Sequence, residues 1–241
     1  MRGHRSPSTA TSASLRARFA PYACAALNAG AAIALAALSR GTLAQPDVQA
    51  RADFVDQHLL AWRSGWAVWM AASSSLLVFY AWWGRELCGD SAPACPQSGR
   101  EDPVHANTRQ TRAGAVVRGT RHGLARAASP LAIAGVGLAF DLIGESLQIV
   151  AVPDAPALMP LAVLLTAGVA NGSYTAAGAL LTMRTRLHGW RAAWTWAVWA
   201  AGAGVSVMAF MGSVSGLVVT SALLFALFCP WCIALERWLR R

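Results

Sequence analysis

Two acidic residues, Asp141 and Glu145, lie inside a hydrophobic stretch of the chain at residues 129–152. About 20 apolar residues of helix cross the hydrocarbon core of a bilayer, so this stretch is predicted to be a transmembrane helix. Residues four apart share a helix face, which puts both carboxyl groups on the same side. Gly137 and Gln148 extend that face in the two directions.

An ionised carboxylate inside hydrocarbon costs at least about 2.5–3.5 kcal/mol on insertion scales, and two neighbouring acids also repel each other. The pair Asp141 and Glu145 is therefore expected to face a protein interior, a cavity or a bound ligand. Two interpretations stay open. The acids are either the centre of a site for a small solute or a proton, or a hydrogen-bond node that fixes helix packing.

The next apolar stretch, residues 157–183, follows after a short turn near Asp154. The two helices are therefore predicted to be antiparallel neighbours. With a rise of 1.5 Å per residue, folding the chain about this turn brings Asn171 within about one helical turn of Asp141. Asn171 is thus expected to be the cross-helix partner of that acid. The predicted substrate- or proton-binding residues are Asp141, Glu145, Gln148 and Asn171.

A second constellation consists of cysteines. Cys229 and Cys232 form a CxxC motif near the end of the last apolar stretch, and Cys88 and Cys95 lie in a long polar segment. This spacing suits a redox dithiol or half of a soft-metal site. The alternative is a set of inert, reduced cytosolic thiols.

The four cysteines Cys229, Cys232, Cys88 and Cys95 resemble the cysteine arrangement of the vitamin K epoxide reductase family. In that family a membrane CxxC exchanges electrons with a pair of loop cysteines and a quinone. The resemblance covers these residues alone. The family differs in the number of spans, and its site faces the oxidising side of the membrane, so the sequence is not assigned to it.

Composition narrows the class of protein. The chain has 241 residues, of which 56% are hydrophobic and 13% charged, with a mean hydropathy of +0.42. These values are typical of a small membrane protein. All of its basic residues are Arg, which excludes a Lys Schiff base and a Walker phosphate loop. No sequence motif specifies a cofactor or a catalytic reaction.

The apolar runs predict an all-α, polytopic membrane bundle with six transmembrane helices. They lie at about residues 19–38, 64–83, 129–152, 157–183, 192–211 and 214–235. Residues 1–18 are predicted to be a disordered basic tail, and residues 84–128 a cytoplasmic loop. The first run is interpreted as an uncleaved span, with a cleaved signal peptide as the alternative.

The Arg distribution indicates the orientation. With six spans, every Arg except Arg40, Arg51 and Arg63 falls on one side of the membrane. The positive-inside rule then places both termini in the cytoplasm, in an inner membrane of bacterial type. This pattern explains the net charge of +9 without nucleic acid. The expected partners are the lipid bilayer and anionic lipid headgroups at the cytoplasmic Arg residues, with a homo-oligomer or a membrane-complex partner left open.

Three functions follow from these observations. The first is a multi-pass membrane protein that binds or transports a small solute or a proton through its intramembrane acids. The second is a membrane thiol-redox or soft-metal-handling protein that uses the CxxC. The third is a non-catalytic membrane subunit or scaffold, in which the acids only fix the packing of the helices.

Overall fold

The computed structural model describes residues 9–89 and 129–240. These two parts of the chain are helical and contain no strand. A single turn of 3₁₀-helix, Ser39–Gly41, follows the first helix. The helices are α1 (Thr9–Ala37), α2 (Val48–Gln57), α3 (Leu59–Gly89), α4 (Ser129–Ala151), α5 (Pro156–Arg184), α6 (Trp190–Phe210) and α7 (Val214–Leu239).

Five of these helices are long and apolar enough to cross a membrane, namely the Phe19–Ala37 part of α1 together with α4, α5, α6 and α7. The helix α3 is longer than any of them but is not in this group. Its tryptophans and the serine run at residues 73–75 lower its hydropathy. The all-helical class is therefore confirmed, and the apolar helices suggest a membrane location.

Two helices extend beyond their predicted bounds. The helix α1 begins at Thr9, inside the segment 1–18 for which an irregular tail is predicted, and α3 continues to Gly89. Once a helix has formed, each added residue contributes one more backbone hydrogen bond, so the helix propagates outward from a stable span. Residues 1–8 and the predicted loop beyond Gly89 up to residue 128 lie outside the described residues.

The core consists of two apolar clusters at different levels of the bundle. The turn-side cluster comprises Leu38, Val55, Trp62, Trp66, Val152 and Met159. The aromatic cluster comprises Phe79, Tyr80, Trp82, Trp83, Trp199, Phe228 and Trp231. Along α3 the buried Ser73 lies between the two clusters, so a polar level separates two apolar ones.

Hydrogen bonds fix both ends of α3 against the hairpin formed by α4 and α5. The indole Nε1 of Trp62 donates to the backbone carbonyl of Gln148 over 2.7 Å. The indole Nε1 of Trp83 donates to the Thr185 hydroxyl over 3.1 Å. Because Gln148 precedes the hairpin turn and Thr185 follows the end of α5, α3 runs the length of the hairpin.

Close contact between α4 and α5 depends on glycine. A Cβ atom on Gly144 would lie 2.6 Å from the Thr166 Cγ2 atom and 2.9 Å from the Ala162 carbonyl oxygen. A Cβ atom on Gly137 would lie 3.0 Å from the Ala170 carbonyl oxygen. Since both glycines face the α5 backbone, the two helices approach closely along the face that carries the acids.

The outer surface of the bundle is apolar. Large hydrophobic side chains with at least half of their surface exposed occur on most of the long helices, including Val78, Ile143, Val150, Val207 and Val219. A soluble protein rarely exposes so much contiguous apolar surface. Acids inside and apolar side chains outside are the distribution expected of a bundle surrounded by lipid.

Candidate functional site

The acid-bearing face of α4 is directed into the bundle. Asp141 is 4% exposed and Glu145 is fully buried. Gly137 and Gln148, which share this face, are buried as well. The regular α-helical spacing of residues 129–146 therefore holds both carboxyl groups at the polar level between the two clusters.

Ser73 of α3 completes this group. Its hydroxyl donates to the Glu145 Oε1 atom over 2.8 Å, across the interface between α3 and α4. Asp141 is the second acid in contact with Ser73. We call Ser73, Asp141 and Glu145 the acid centre. Ser73 was not among the predicted site residues, because nothing in the local sequence distinguishes it from its serine neighbours.

Three buried polar atoms around the acid centre have no hydrogen-bond partner in the described part of the chain. They are Glu145 Oε2, Gln148 Oε1 and the Tyr174 hydroxyl. The Tyr174 side chain of α5 is a neighbour of Asp141, although Tyr174 was not among the predicted site residues. Buried polar groups are nearly always paired. The unpaired ones here therefore leave unused hydrogen-bonding capacity at this level of the bundle.

Asn171 contacts a different helix from the one expected. Its Nδ2 atom donates to the Gly202 carbonyl over 2.7 Å and to the Ser206 hydroxyl over 2.9 Å, both on α6. The expected hydrogen bond to Asp141 is therefore replaced by contacts that join α5 to α6. Asn171 and Asp141 nevertheless line the same cavity.

Segments of π-helix explain this difference. The last five residues of α4, Leu147–Ala151, are π-helical, as is Leu164–Ala170 within α5. A π-helix has more residues per turn than an α-helix, so a prediction based on the α-helical period fails beyond such a segment. Gln148 and Thr166 lie in the two segments and line the cavity. Short π-helical segments often occur at functional sites.

A cavity of about 470 Å³ lies beside the acid centre. This volume falls within the range of small-molecule sites. Most of the lining side chains are apolar, and Asp141 is the lining residue of α4 that carries a carboxyl group. Each of the six long helices contributes to the wall, for example through Asn28, Ser73, Asp141, Asn171, Val205 and Phe225.

The cavity extends toward one end of the bundle. At that end its wall includes Thr42 and Ala44 after α1, and Val214 and Val218 at the start of α7. Val218 is 53% exposed although it lines the cavity, so the cavity opens to the exterior beside α7.

The aromatic cluster closes the other end of the cavity. Tyr80, Trp199 and Phe228 line the cavity there and belong to this cluster. The Tyr80 hydroxyl donates to the Tyr174 carbonyl over 3.0 Å. Gly178 leaves space for the Trp199 ring, which would overlap any Cβ atom at that position.

Threonines anchor three of the four indoles of the aromatic cluster. Three indole Nε1 atoms donate to threonine hydroxyls, in the pairs Trp83–Thr185, Trp199–Thr182 and Trp231–Thr195. Each hydroxyl in turn donates to the backbone carbonyl four residues earlier, at Leu181, Gly178 and Arg191 respectively. Every indole N–H in these pairs is thus satisfied within a buried layer, which holds the cluster in one arrangement.

The cysteine constellation is placed only in part. Cys232 is fully buried beside Cys24 of α1, and Cys229 is partly buried. The Cys88 side chain and Cys95 lie outside the described residues. Among the residues that the structure describes, no group of three or more His, Cys, Asp or Glu side chains is arranged to hold a metal ion. Cys24 was not predicted as a neighbour, because it lies far from Cys232 in the sequence.

Comparisons with protein-family models, with curated proteins and with solved structures give no match for this chain. The site itself is therefore the basis for a proposed function.

Proposed function

We propose that this protein crosses the membrane six times, binds a small solute in its central cavity and moves that solute across the bilayer. The observation that carries the proposal is a buried carboxyl group, Asp141, in the wall of an otherwise uncharged cavity. Tyr174 and Gln148, whose side chains carry unpaired polar atoms, line the same cavity. Acids at membrane depth are costly, and they commonly mark solute or ion pathways.

The proposal of six spans depends on α3. Trp62 and Trp83 are fixed near opposite ends of the α4–α5 hairpin by their indole hydrogen bonds. The helical rise between these residues is about 30 Å, which equals the thickness of the hydrocarbon core. If α4 and α5 cross the bilayer, α3 must cross with them. Its tryptophans, Ser73 and Ser75 are buried or half-buried in the bundle, so its low hydropathy does not prevent this.

The proposed orientation follows from the charges at the two ends. Arg184, Arg186, Arg237 and Arg240 are exposed at the end of the bundle that holds the aromatic cluster. The positive-inside rule assigns that end to the cytoplasm of an inner membrane, where these Arg residues would meet anionic headgroups. The open end of the cavity then faces the opposite side.

Transport requires access to the cavity from both sides in turn. In the present arrangement the cavity reaches the exterior at one end, and the aromatic cluster closes the other. We therefore assign this arrangement to the outward-open state. The Trp–Thr pairs would be the contacts that separate when the cytoplasmic side opens.

Thermal unfolding of the detergent-purified protein in the presence of small solutes tests the proposal. The panel contains neutral, cationic and anionic molecules that fit the cavity. The variants are wild type, Asp141→Asn and the matched control Asp154→Asn, since Asp154 is an exposed acid in the turn after α4. We expect at least one solute to raise the unfolding midpoint of wild type and of Asp154→Asn but not that of Asp141→Asn. Uptake of that solute into proteoliposomes then tests movement.

The competing functions predict different results. If the protein is a scaffold, no solute should shift the thermal unfolding midpoint of wild type or of either variant. Asp141→Asn would then change assembly or stability only. A thiol-redox protein would lose its activity in Cys229→Ser/Cys232→Ser and retain it in Asp141→Asn.

A further inference from the structure

The electrostatic character of the cavity is asymmetric. In the described part of the chain, Asp141 is the lining side chain with a formal charge, and no Arg or His lines the cavity. The remaining polar lining groups are hydroxyls, amides and indole N–H groups. One end of the bound molecule is therefore expected to be positive, and an anionic occupant would face Asp141 without a compensating cation.

Aromatic rings form part of the wall of the same cavity. Trp66, Trp69, Tyr80, Trp199 and Phe225 line the cavity. The Trp69 and Phe225 rings meet edge to face, with their centroids 5.7 Å apart, and connect α3 to α7. Aromatic faces attract ammonium groups and also accommodate apolar bodies, so this wall suits both parts of an amphiphilic cation.

Smaller and more polar occupants fit less well. A bare divalent cation needs about six oxygen ligands, and the described residues hold no cluster of acidic side chains suited to it. A sugar would leave most of its hydroxyls against an apolar wall. The volume of about 470 Å³ leaves room for an apolar body next to the charge.

We propose that the cavity binds a small hydrophobic cation, an amine or quaternary ammonium with a single positive charge on an apolar body. Its charge would lie at Asp141 and its body against Trp66, Trp69 and Phe225. The cavity opens beside the exposed Val218 near the start of α7, so the cation would enter from that end of the bundle. This inference rests on the proposed solute-binding function and specifies its substrate class.

When the acids hold a proton, binding of the cation would release that proton. The titratable groups that face this position are Asp141 and Glu145 of α4, Tyr174 of α5 and Tyr80 of α3. A bound ammonium forms an ion pair with the carboxylate of Asp141, and the displaced proton goes to solvent.

Two probes of nearly equal size separate charge from shape, namely phenylbutylammonium and its neutral analogue phenylbutanol. Their affinities are measured by tryptophan fluorescence titration of the detergent-purified full chain. We expect wild type to prefer the cation by at least about tenfold, the factor that a charge-assisted contact of about 1.4 kcal/mol provides. Asp154→Asn should keep this preference, and Asp141→Asn should reduce it to near unity. Permanently charged benzyltriethylammonium should compete with phenylbutylammonium in wild type.

Equal affinity of wild type for the two probes, or no binding of either, would overturn the cation assignment, and this comparison needs no variant. The proposed function would survive that result if another solute of the thermal panel stabilised wild type but not Asp141→Asn. If no solute of any charge distinguished those two proteins, both the cation assignment and the proposed function would fail.

Discussion

The Ser73 hydroxyl of α3 donates a 2.8 Å hydrogen bond to the Glu145 carboxyl group of α4. Both residues are buried, and they lie 72 positions apart in the sequence. This bond joins α3, which is not among the five most apolar long helices, to the helix that carries the acids. The acid centre is therefore built by packing between helices rather than by one motif.

Ser73→Ala should lower the free energy of unfolding by about 1–3 kcal/mol, because the buried Glu145 Oε1 atom loses its donor. The matched control is Ser74→Ala. Ser74 is exposed and its hydroxyl donates only to the Met70 carbonyl of its own helix, so its loss should cost no more than about 0.5 kcal/mol. Denaturant unfolding in detergent measures both. Equal effects of the two substitutions would mean that the bond across α3 and α4 contributes nothing.

Gly144→Ala should destabilise the protein by about 1–3 kcal/mol, because the added methyl group meets the Ala162 carbonyl of α5, which cannot rotate away. The same substitution at Gly135 of α4 has no atom within 4 Å of the new methyl group. Gly135→Ala should therefore be neutral or stabilising by up to about 1 kcal/mol. Thermal unfolding of the two variants provides the comparison. A lower midpoint for Gly135→Ala than for Gly144→Ala would contradict the assigned helix contact.

Thr182→Val should leave the buried Trp199 N–H without its acceptor, which lies 2.7 Å away in wild type. A buried unpaired donor costs about 1–3 kcal/mol. Thr182→Ser keeps the hydroxyl and should lose clearly less stability. The free energy of unfolding, followed by tryptophan fluorescence, distinguishes the two. If valine and serine are equivalent at this position, the Trp–Thr pairs do not stabilise the closed end of the cavity.

The membrane topology should group the exposed Asp56 and Asp154 on one side and the exposed His188 on the other. Single cysteines at these positions, in a cysteine-free background, are labelled with a membrane-impermeant maleimide in intact cells. Six spans predict that Asp56→Cys and Asp154→Cys react from outside, while His188→Cys reacts only after permeabilisation. If α3 did not cross the membrane, Asp56 and His188 would share a side and Asp154 would lie opposite.

The sequence predicted the features that regular α-helical periodicity controls. The inward face of α4 follows from the spacing of Asp141 and Glu145 within an uninterrupted stretch of α-helix. The antiparallel contact between α4 and α5 follows from the short turn that joins them. In both cases the residues that determine the outcome are close together in the chain.

The sequence could not predict features that depend on packing between distant segments. The π-helical segment Leu164–Ala170 changes the direction in which the Asn171 side chain points. No residue type within this segment indicates that its turns are wider than those of an α-helix. The contact of Ser73 with Glu145 joins two separate helices. The contact of Cys24 with Cys232 likewise brings together the first and last helices.

The central claim is that Asp141 and Glu145 form a binding site. The stability of the ligand-free Asp141→Asn/Glu145→Gln variant tests this claim most directly. If the acids form a binding site, they are retained at a cost to folding, because buried carboxyl groups are expensive in a bilayer. The measurement is the thermal unfolding midpoint in detergent, with Asp154→Asn as the control. We predict that the double variant is at least as stable as wild type. A clearly lower midpoint for the double variant alone would contradict this account and identify the acids as structural contacts between helices.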